Sequence, residues 1–402
     1  MAKKPALRTD IQLVMTLNEG RRMIVFQDPY DLSDQHIAVE AATLPLLQML
    51  DGRHELQDIQ QELTQRSGGR LVYLSAIESF LESLDRAFLL NSESFRREMD
   101  SQLAVFSRRE SRLCVHAGKS YDEDPEKLAR FIEETESELP PLEHPLPEIR
   151  ALIAPHIDIR VASHTYVNAY RRLKGRHYDL VVILGINHHS QDGLFCASTK
   201  NYHTPFGEFR TDRDFVEALQ RSAPPGTFAS NDFGHKIEHS IEFQTLFLHH
   251  YLKSPSIVPV LCGGIHEFLL AGQAPFEDSR FMEFIESMRK LTQKRGKVLF
   301  VAGVDFSHVG LKFGDGIPAD ALLARAQAND RIILDALLDG DGRAIYKNAD
   351  ETQDQYKVCG LPALILMAEL MSRKKGTLLD YRTYREAATS SAVTYASAVF
   401  TD

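Results

Sequence analysis

A chain of 402 residues, 43% hydrophobic and 25% charged, exceeds what one ordinary core organises, so two domains are expected, one of them large. The formal net charge of −10 argues against a nucleic-acid groove, which needs a basic footprint, and no run approaches the roughly 18–20 apolar residues of a membrane helix. The polar start MAKKPALRTD lacks the apolar stretch of a signal peptide, and Cys114, Cys196, Cys262 and Cys359 form no CxxC pair, so a cytoplasmic protein with reduced thiols is the expectation.

In chain order, IQLVMT and RMIVF (residues 11–16 and 22–26) are apolar runs separated by LNEGR and read as a β-hairpin with Gly20 in the turn. Three helices should follow: VEAATLPLLQML stopping at Asp51-Gly52, the amphipathic ELQDIQQELTQRSG, and LSAIESFLESLDRAF with Ser75 placed to cap its start. Such a hairpin and three-helix unit in residues 1–100 is a winged-helix-like module. Its ATLPLLQMLDGRHELQDI and AIESFLESLDRAFLL stretches resemble the PqqD-like family, whose members present a strand and helix groove to a peptide. DNA binding by the same fold is the rival, disfavoured by eleven Lys and Arg against sixteen Asp and Glu over residues 1–100, a net charge of −5. The charge-dense SFRREMDSQLAVFSRRESR reads as a helical linker, which divides the chain into 1–100, a linker at 101–113 and a large domain at 114–402.

Asp124 before Pro125 starts a helix, and the prolines of PPLEHPLP stop it. From Arg150 onward strands and helices alternate, the pattern of an α/β sandwich with a central mixed sheet flanked by helices. ALIAPHID is a strand ending at His156, followed by the helix SHTYVNAYRRL. VVILGINHHS is a buried strand that stops at Gly185 and delivers His188 and His189. FCAST and YHTPFGEFR are looser β segments carrying His203. A helix over 213–221 precedes the helix IEHSIEFQTLFLHHYL, on which Glu238, His239 and Glu242 fall close together. SIVPVLCGG is a buried strand, a long amphipathic helix surrounds Phe281 to Leu291, and VLFVAGVDFSH is a strand ending in Asp305 and His308. The helical stretches DALLARAQANDRIILDALL, GRAIYKNA and CGLPALILMAELM lead to two closing strands, LLDYRTY and AVTYASAVF.

Three strand ends thus carry metal-type or acid/base-type side chains, and ligands gather beyond the carboxyl ends of such strands in open α/β sheets. A single imidazole there is ordinarily a loop histidine; three together form a pattern. Cys359 precedes a helix whose first turn holds Pro362, a setting that favours a thiolate for metal ligation or nucleophilic attack, whereas the other three cysteines read as core filling. Two imidazoles and a thiolate would leave an open coordination position and suit iron(II), copper or zinc rather than calcium or magnesium. His308 could shuttle a proton, and Asp305 could orient an imidazole, bind metal or cap a helix. Glu238, His239 and Glu242 belong to a pocket wall or to a solvated helix face, and they do not form an HExxH pair.

The set PH (155–156), GxxHH (185–189), YHTPFGEFRTD (202–212), EHSIE (238–242), DFSH (305–308), CG (359–360) and SSAVTYA (390–396), preceded by HAGKSY (116–121), resembles the Memo family, named AmmeMemoRadiSam system protein B in bacteria and archaea. The resemblance covers about residues 114–402. It implies a fold similar to class III extradiol dioxygenases, with Cys in place of their metal-binding carboxylate: His156, His188 and Cys359 as metal ligands, Asp305 and His308 in the pocket as the catalytic pair, and His189, Glu238, His239 and Glu242 around it. The family's usual PHAGY is PHIDI here, and Trp is absent from HAGKSY, which leaves the substrate open. The expectation is a redox or dioxygenase-type oxidoreductase holding iron(II), with copper or zinc as alternatives. It would act on a small molecule or peptide in a modification pathway alongside AMMECR-family and radical SAM proteins, without nucleic acid or membrane. The rival is a non-catalytic protein that binds a peptide or partner in the same pocket.

Overall fold

Residues 4–18, 20–35, 37–142, 147–189, 192–252, 255–372 and 374–402 are described by the computed structural model; Glu19 of the expected turn and positions 143–146 of the proline-rich stretch lie outside them. The chain forms two units, Met1–Arg108 and Arg109–Asp402.

In the first unit, β1 (Gln12–Asn18) and β2 (Arg21–Gln27) pair antiparallel around Gly20, whose φ of +78° is the left-handed conformation a tight hairpin asks of glycine. β3 (Ala38–Glu40) extends this small sheet beside β2. The first helix was expected to include these residues, but α1 (Leu44–Met49) begins only after them: Val39 pairs with Ile24 and packs on the core as a strand residue. α2 (Leu56–Arg66), α3 (Leu74–Arg86) and α4 (Glu93–Ser107) follow. Ser75 does not cap α3, because Tyr73 holds the cap position and Ser75 lies inside the first turn. Ile24, Phe26, Leu47, Ile59, Ile77 and Leu81 form one buried cluster, each fully buried aliphatic contributing about 1.5–3 kcal/mol relative to exposure.

The second unit contains β4 (Ser111–Arg112), α5 (Pro125–Glu138), β5 (Ile149–Ala154), α6 (Ile159–Tyr170), β6 (Leu180–Ile186), β7 (Phe195–Ala197), β8 (Asn201–Thr204), β9 (Gly207–Phe209), α7 (Arg213–Ser222) and α8 (His239–Tyr251). It continues with β10 (Ser256–Cys262), α9 (Ile265–Ala271), α10 (Ser279–Thr292), β11 (Val298–Gly303), β12 (Asp305–Gly310), α11 (Leu323–Leu338), α12 (Gly342–Thr352), α13 (Leu361–Leu370), β13 (Lys375–Glu386) and β14 (Ser391–Thr401). The main sheet runs β12-β14-β5-β11-β6-β10-β7, with β13 also paired to β14. β5, β11, β6 and β10 are parallel neighbours, while β7, β12, β13 and β14 join antiparallel, so the sheet is mixed.

Both faces of the parallel centre are covered, which is why its strands read as near-continuous apolar runs. Alternation sends Ile153, Val182 and Leu184 into one core with Phe215, Phe284 and Leu364, and Leu152, Val181 and Ile183 into the other with Tyr166, Tyr170 and Phe247. Because this unit carries two cores of its own, residues 109–402 expressed alone are expected to unfold in one cooperative urea transition; a broad, uncooperative loss of signal would count against that.

Candidate functional site

β5 and β6 are parallel with β11 between them, so the residues just past their carboxyl ends, His156 and His188, emerge on one edge of the sheet. The N-terminus of α8 is pressed against the same edge. A Cβ at Gly185 would lie 2.5 Å from Ser240 Oγ, and one at Gly303 would lie 2.3 Å from the Ser240 carbonyl oxygen, so the glycines near the carboxyl ends of β6 and β11 are what allow the helix to come so near. Glu238 caps α8 by accepting the Ser240 N–H at 2.9 Å, and His239 is the first helical residue.

The result is a triangle of imidazoles. Ring centroids of His156, His188 and His239 are 5.3, 5.1 and 5.3 Å apart, with His188 and His239 stacked. His156 Nδ1–H donates to the Gly303 carbonyl at 3.0 Å, which leaves Nε2 as the lone-pair nitrogen, and Cys359 Sγ lies 3.3 Å from that Nε2. His188 Nδ1–H donates to Glu238 Oε2 at 2.9 Å, while His239 Nδ1 is 3.2 Å from Oε1 of the same carboxylate and His189 Nε2 is 3.4 Å from Oε2. One buried carboxylate therefore faces three imidazoles.

Burial opposes charge on Glu238, but His188 and His239 outweigh it and hold the carboxyl well below the usual glutamate range. Burial likewise pulls His188 down, and Glu238 more than compensates, so its pKa lies above the ordinary histidine value. His239 stays lowered to about 4 because burial exceeds the help from Glu238.

Asp305 and His308 sit on β12 rather than on a loop after β11, and Asp305 caps no helix: its Oδ1 accepts the backbone N–H of His156 at 3.0 Å. His308 Nδ1–H donates to the Phe306 carbonyl at 2.9 Å, leaving Nε2 as acceptor, and burial lowers its pKa to about 4 against the pull of Asp305. Cys359 is delivered by a turn in which Gln353, Asp354 and Lys357 have φ of 50°, 41° and 53°, a concentration of left-handed non-glycine residues. Asp354 holds that turn by accepting the Val358 N–H at 3.0 Å through Oδ1, and its Oδ2 lies 3.0 Å from His266 Nε2. Without a cation, the expected thiolate at Cys359 is disfavoured: burial and then the Asp305 charge push the thiol well up, against a lowering backbone hydrogen bond to Asp305.

A cavity of about 960 Å³ opens over this group. It is lined by His156, His188, His239, Asp305, His308 and Cys359 together with His116, Phe243, Phe313, Lys357 and Tyr384 among others. Of the four residues expected around the pocket, His239 lines it; Glu238 supports it through His188 and His239; His189 adjoins Glu238; and Glu242 points elsewhere, into a buried ion pair with Arg112. The three proposed ligand residues come together: one ligand atom from each of His156, His188 and Cys359 lies within 4.8 Å of the others. His116, which sequence reasoning left without a role, reaches the cavity because its N–H is held by Glu242 at 3.0 Å; the HAGKSY motif was its only signal.

This donor set fits a soft or borderline cation. Both imidazoles of the group have their Nδ1 tied to an acceptor, the arrangement that orients Nε2 toward a metal. Among the described residues no helix is long and apolar enough to cross a membrane.

Comparison with known proteins agrees with the motifs. The family model described as Memo-like protein matches residues 112–399. A MEMO1 family protein of Aquifex aeolicus is 30% identical over 380 residues, 94% of this chain and 95% of its own length. A second MEMO1 family protein, from Thermus thermophilus, is 27% identical over 348 residues, 86% of this chain and 98% of its own. A solved structure, that of uncharacterized protein JW3007 from Escherichia coli K12, covers 62% of this chain and 99% of its own at 11% identity and a TM-score of 0.34, a level that bears on neither fold nor chemistry. By the family match and the near full-length relative, this chain belongs to the MEMO1 family.

Proposed function

We propose that the cavity is the centre of a metal-dependent oxidoreductase, with His156, His188 and Cys359 as the ligands. The observation that carries this reading is the convergence of those three side chains within 4.8 Å on the sheet edge, with the far nitrogen of each imidazole already occupied. Two imidazoles and a sulfur favour iron(II), with copper or zinc as competitors. Iron(II) held there would supply an open coordination position for activating dioxygen or a substrate hydroxyl. Glu238 fixes His188, and Asp305 fixes the backbone of His156. His308, neutral down to acidic pH and with Nε2 unengaged by its own backbone bond, accepts a proton from substrate within the cavity. The cavity's volume falls in the range of roughly 300–1,000 Å³ usual for small-molecule sites, and its aromatic wall of Phe243, Phe313 and Tyr384 suits a flat or apolar group.

The first unit is read as a PqqD-like winged-helix module that holds a peptide by strand addition to its small sheet, with the net charge of −5 over residues 1–100 opposing nucleic acid. Together the two units suit a cytoplasmic peptide or protein modification pathway with AMMECR-family and radical SAM partners. The size and aromatic lining of the cavity also support a second reading, recognition of a peptide side chain without turnover.

Anaerobic purification followed by metal analysis separates the two. Stoichiometric iron that survives in His308→Ala, with any proton-dependent turnover lost, is the expected outcome. Protein that takes up neither iron nor copper under anaerobic conditions would favour the binding reading.

A further inference from the structure

β12 carries the two pocket residues Asp305 and His308, yet they are three positions apart. In a regular strand that odd separation sends side chains to opposite faces. Here both line the cavity. The pairing with β14 explains it: Asp305 is opposite Tyr395 and His308 is opposite Val393, so three steps on β12 match two on β14, and the register shifts between them. This is a β-bulge, a device that re-aims side chains beside functional sites. Its two middle residues turn inward together, Phe306 into the hydrophobic core and Ser307 toward α11.

A bulge breaks ladder hydrogen bonds, and the freed groups need partners. The Ser307 N–H is taken by Thr394 Oγ1 at 2.8 Å, and the His308 N–H by the Tyr356 carbonyl at 2.8 Å, in the strained turn that leads to Cys359. Behind the bulge lies a carboxylate that the proposed chemistry does not use. Asp330, on α11 and 0% exposed, accepts hydroxyl hydrogen bonds from Ser307, Thr394 and Tyr381, each at 2.6 Å. These three belong to β12, β14 and β13, so a single helix residue ties together the three strands that meet at the bulge.

We infer that Asp330 is a positioning residue for the pocket: by gathering the Ser307, Thr394 and Tyr381 hydroxyls it holds the β-bulge that turns Asp305 and His308 into the same cavity. A buried carboxylate satisfied by three short hydrogen bonds from three strands is costly to place, and general packing would be served as well by an apolar side chain. What an apolar residue cannot do is orient Thr394 Oγ1 so that it donates to Asp330 while accepting the Ser307 N–H. The inference deepens the reading of Asp305 and His308 as pocket residues and rests on it.

The test uses the full chain without added metal, comparing Asp330→Asn, Thr394→Val and Thr394→Ser by amide hydrogen exchange of residues 305–310 and by imidazole nitrogen NMR of the histidines. Thr394→Val is nearly isosteric and lacks the hydroxyl; Thr394→Ser keeps the hydroxyl and lacks the methyl. Thr394→Val and Asp330→Asn should speed exchange at Ser307 and His308 by roughly tenfold or more and shift the His308 signals, while Thr394→Ser stays near wild type. If Asp330→Asn does not fold, Ser307→Ala takes its place with the same expectation. A Thr394→Ser protein perturbed as much as Thr394→Val, or His308 signals and exchange unchanged in the hydroxyl-deleted variants, would overturn the assignment. Titration of the wild type with Co(II) alone keeps the two questions apart: failure to bind it counts against the metal reading, whereas exchange and NMR judge Asp330 without any metal.

Discussion

Cys359→Ser is expected to lower affinity for Co(II) or iron(II) by roughly 100-fold or more, since loss of even an outer partner of a metal ligand costs about 10–100-fold and a direct ligand costs at least that. Cys196→Ser and Cys262→Ser should bind as wild type. Those two thiols are buried in β7 and β10, where Cys196 Sγ donates to the Asn231 carbonyl at 3.4 Å and Cys262 packs in the apolar core. Serine at position 359 would keep the size of the side chain and lose the soft donor, so the contrast isolates chemistry from packing. The readout is equilibrium titration under anaerobic conditions with the visible spectrum of Co(II) as monitor, because sulfur coordination changes that spectrum and nitrogen or oxygen coordination alone does not reproduce it. Equal retention by all three serine variants would remove Cys359 from the site.

Much of the sheet could be read from the sequence, for a physical reason. β5, β6, β10 and β11 are covered on both faces, so their apolar runs are nearly uninterrupted, and a strand that stops at glycine beside histidine announces a functional edge. β3 escaped because three residues with one half-buried valine carry no periodicity, and α9 escaped because Ile265–Ala271 is too short to show a helical repeat. Asp305 and His308 were identified as neighbours of the site, but the bulge that makes both face it is invisible in DFSH: it depends on Thr394 and Asp330, far along the chain. Cys359 was legible as a residue before a helix and illegible as a thiol raised by its surroundings and by Asp305, since desolvation is a property of the assembled fold.

Glu242 shows the same limit and leads to the second large effect. Sequence spacing set it on the face of α8 near His239, which suggested the pocket wall or a solvated surface. In the fold its side chain is fully buried and paired with Arg112, a residue 130 positions earlier whose side chain is also 0% exposed. Arg112 further donates to the His235 carbonyl at 3.0 Å and the Glu238 carbonyl at 2.7 Å, while Glu242 accepts the His116 N–H at 3.0 Å and the Tyr121 hydroxyl. The pair therefore clamps the 112–121 segment to the N-terminus of α8, the backbone that carries Glu238 and His239. Removing one partner leaves the other charged and buried, which costs about 3–5 kcal/mol, so Arg112→Met and Glu242→Leu should each lower unfolding free energy by that order in urea denaturation. The double variant is expected to lose less than the sum of the two, because neither stranded charge remains. Acid should act like the Glu242 substitution. Burial raises the Glu242 carboxyl, Arg112 together with His116 and the Tyr121 hydroxyl more than offsets this, and the folded pKa ends below the ordinary 4.5. A carboxyl depressed in the folded state gives stability that is full above its unfolded value and lost as pH falls through the folded one, so wild-type stability should decline below about pH 4.5 with a contribution that the double variant lacks. Single variants within about 0.5 kcal/mol of wild type would mean that water reaches the pair and that the clamp does not hold the histidine-bearing end of α8.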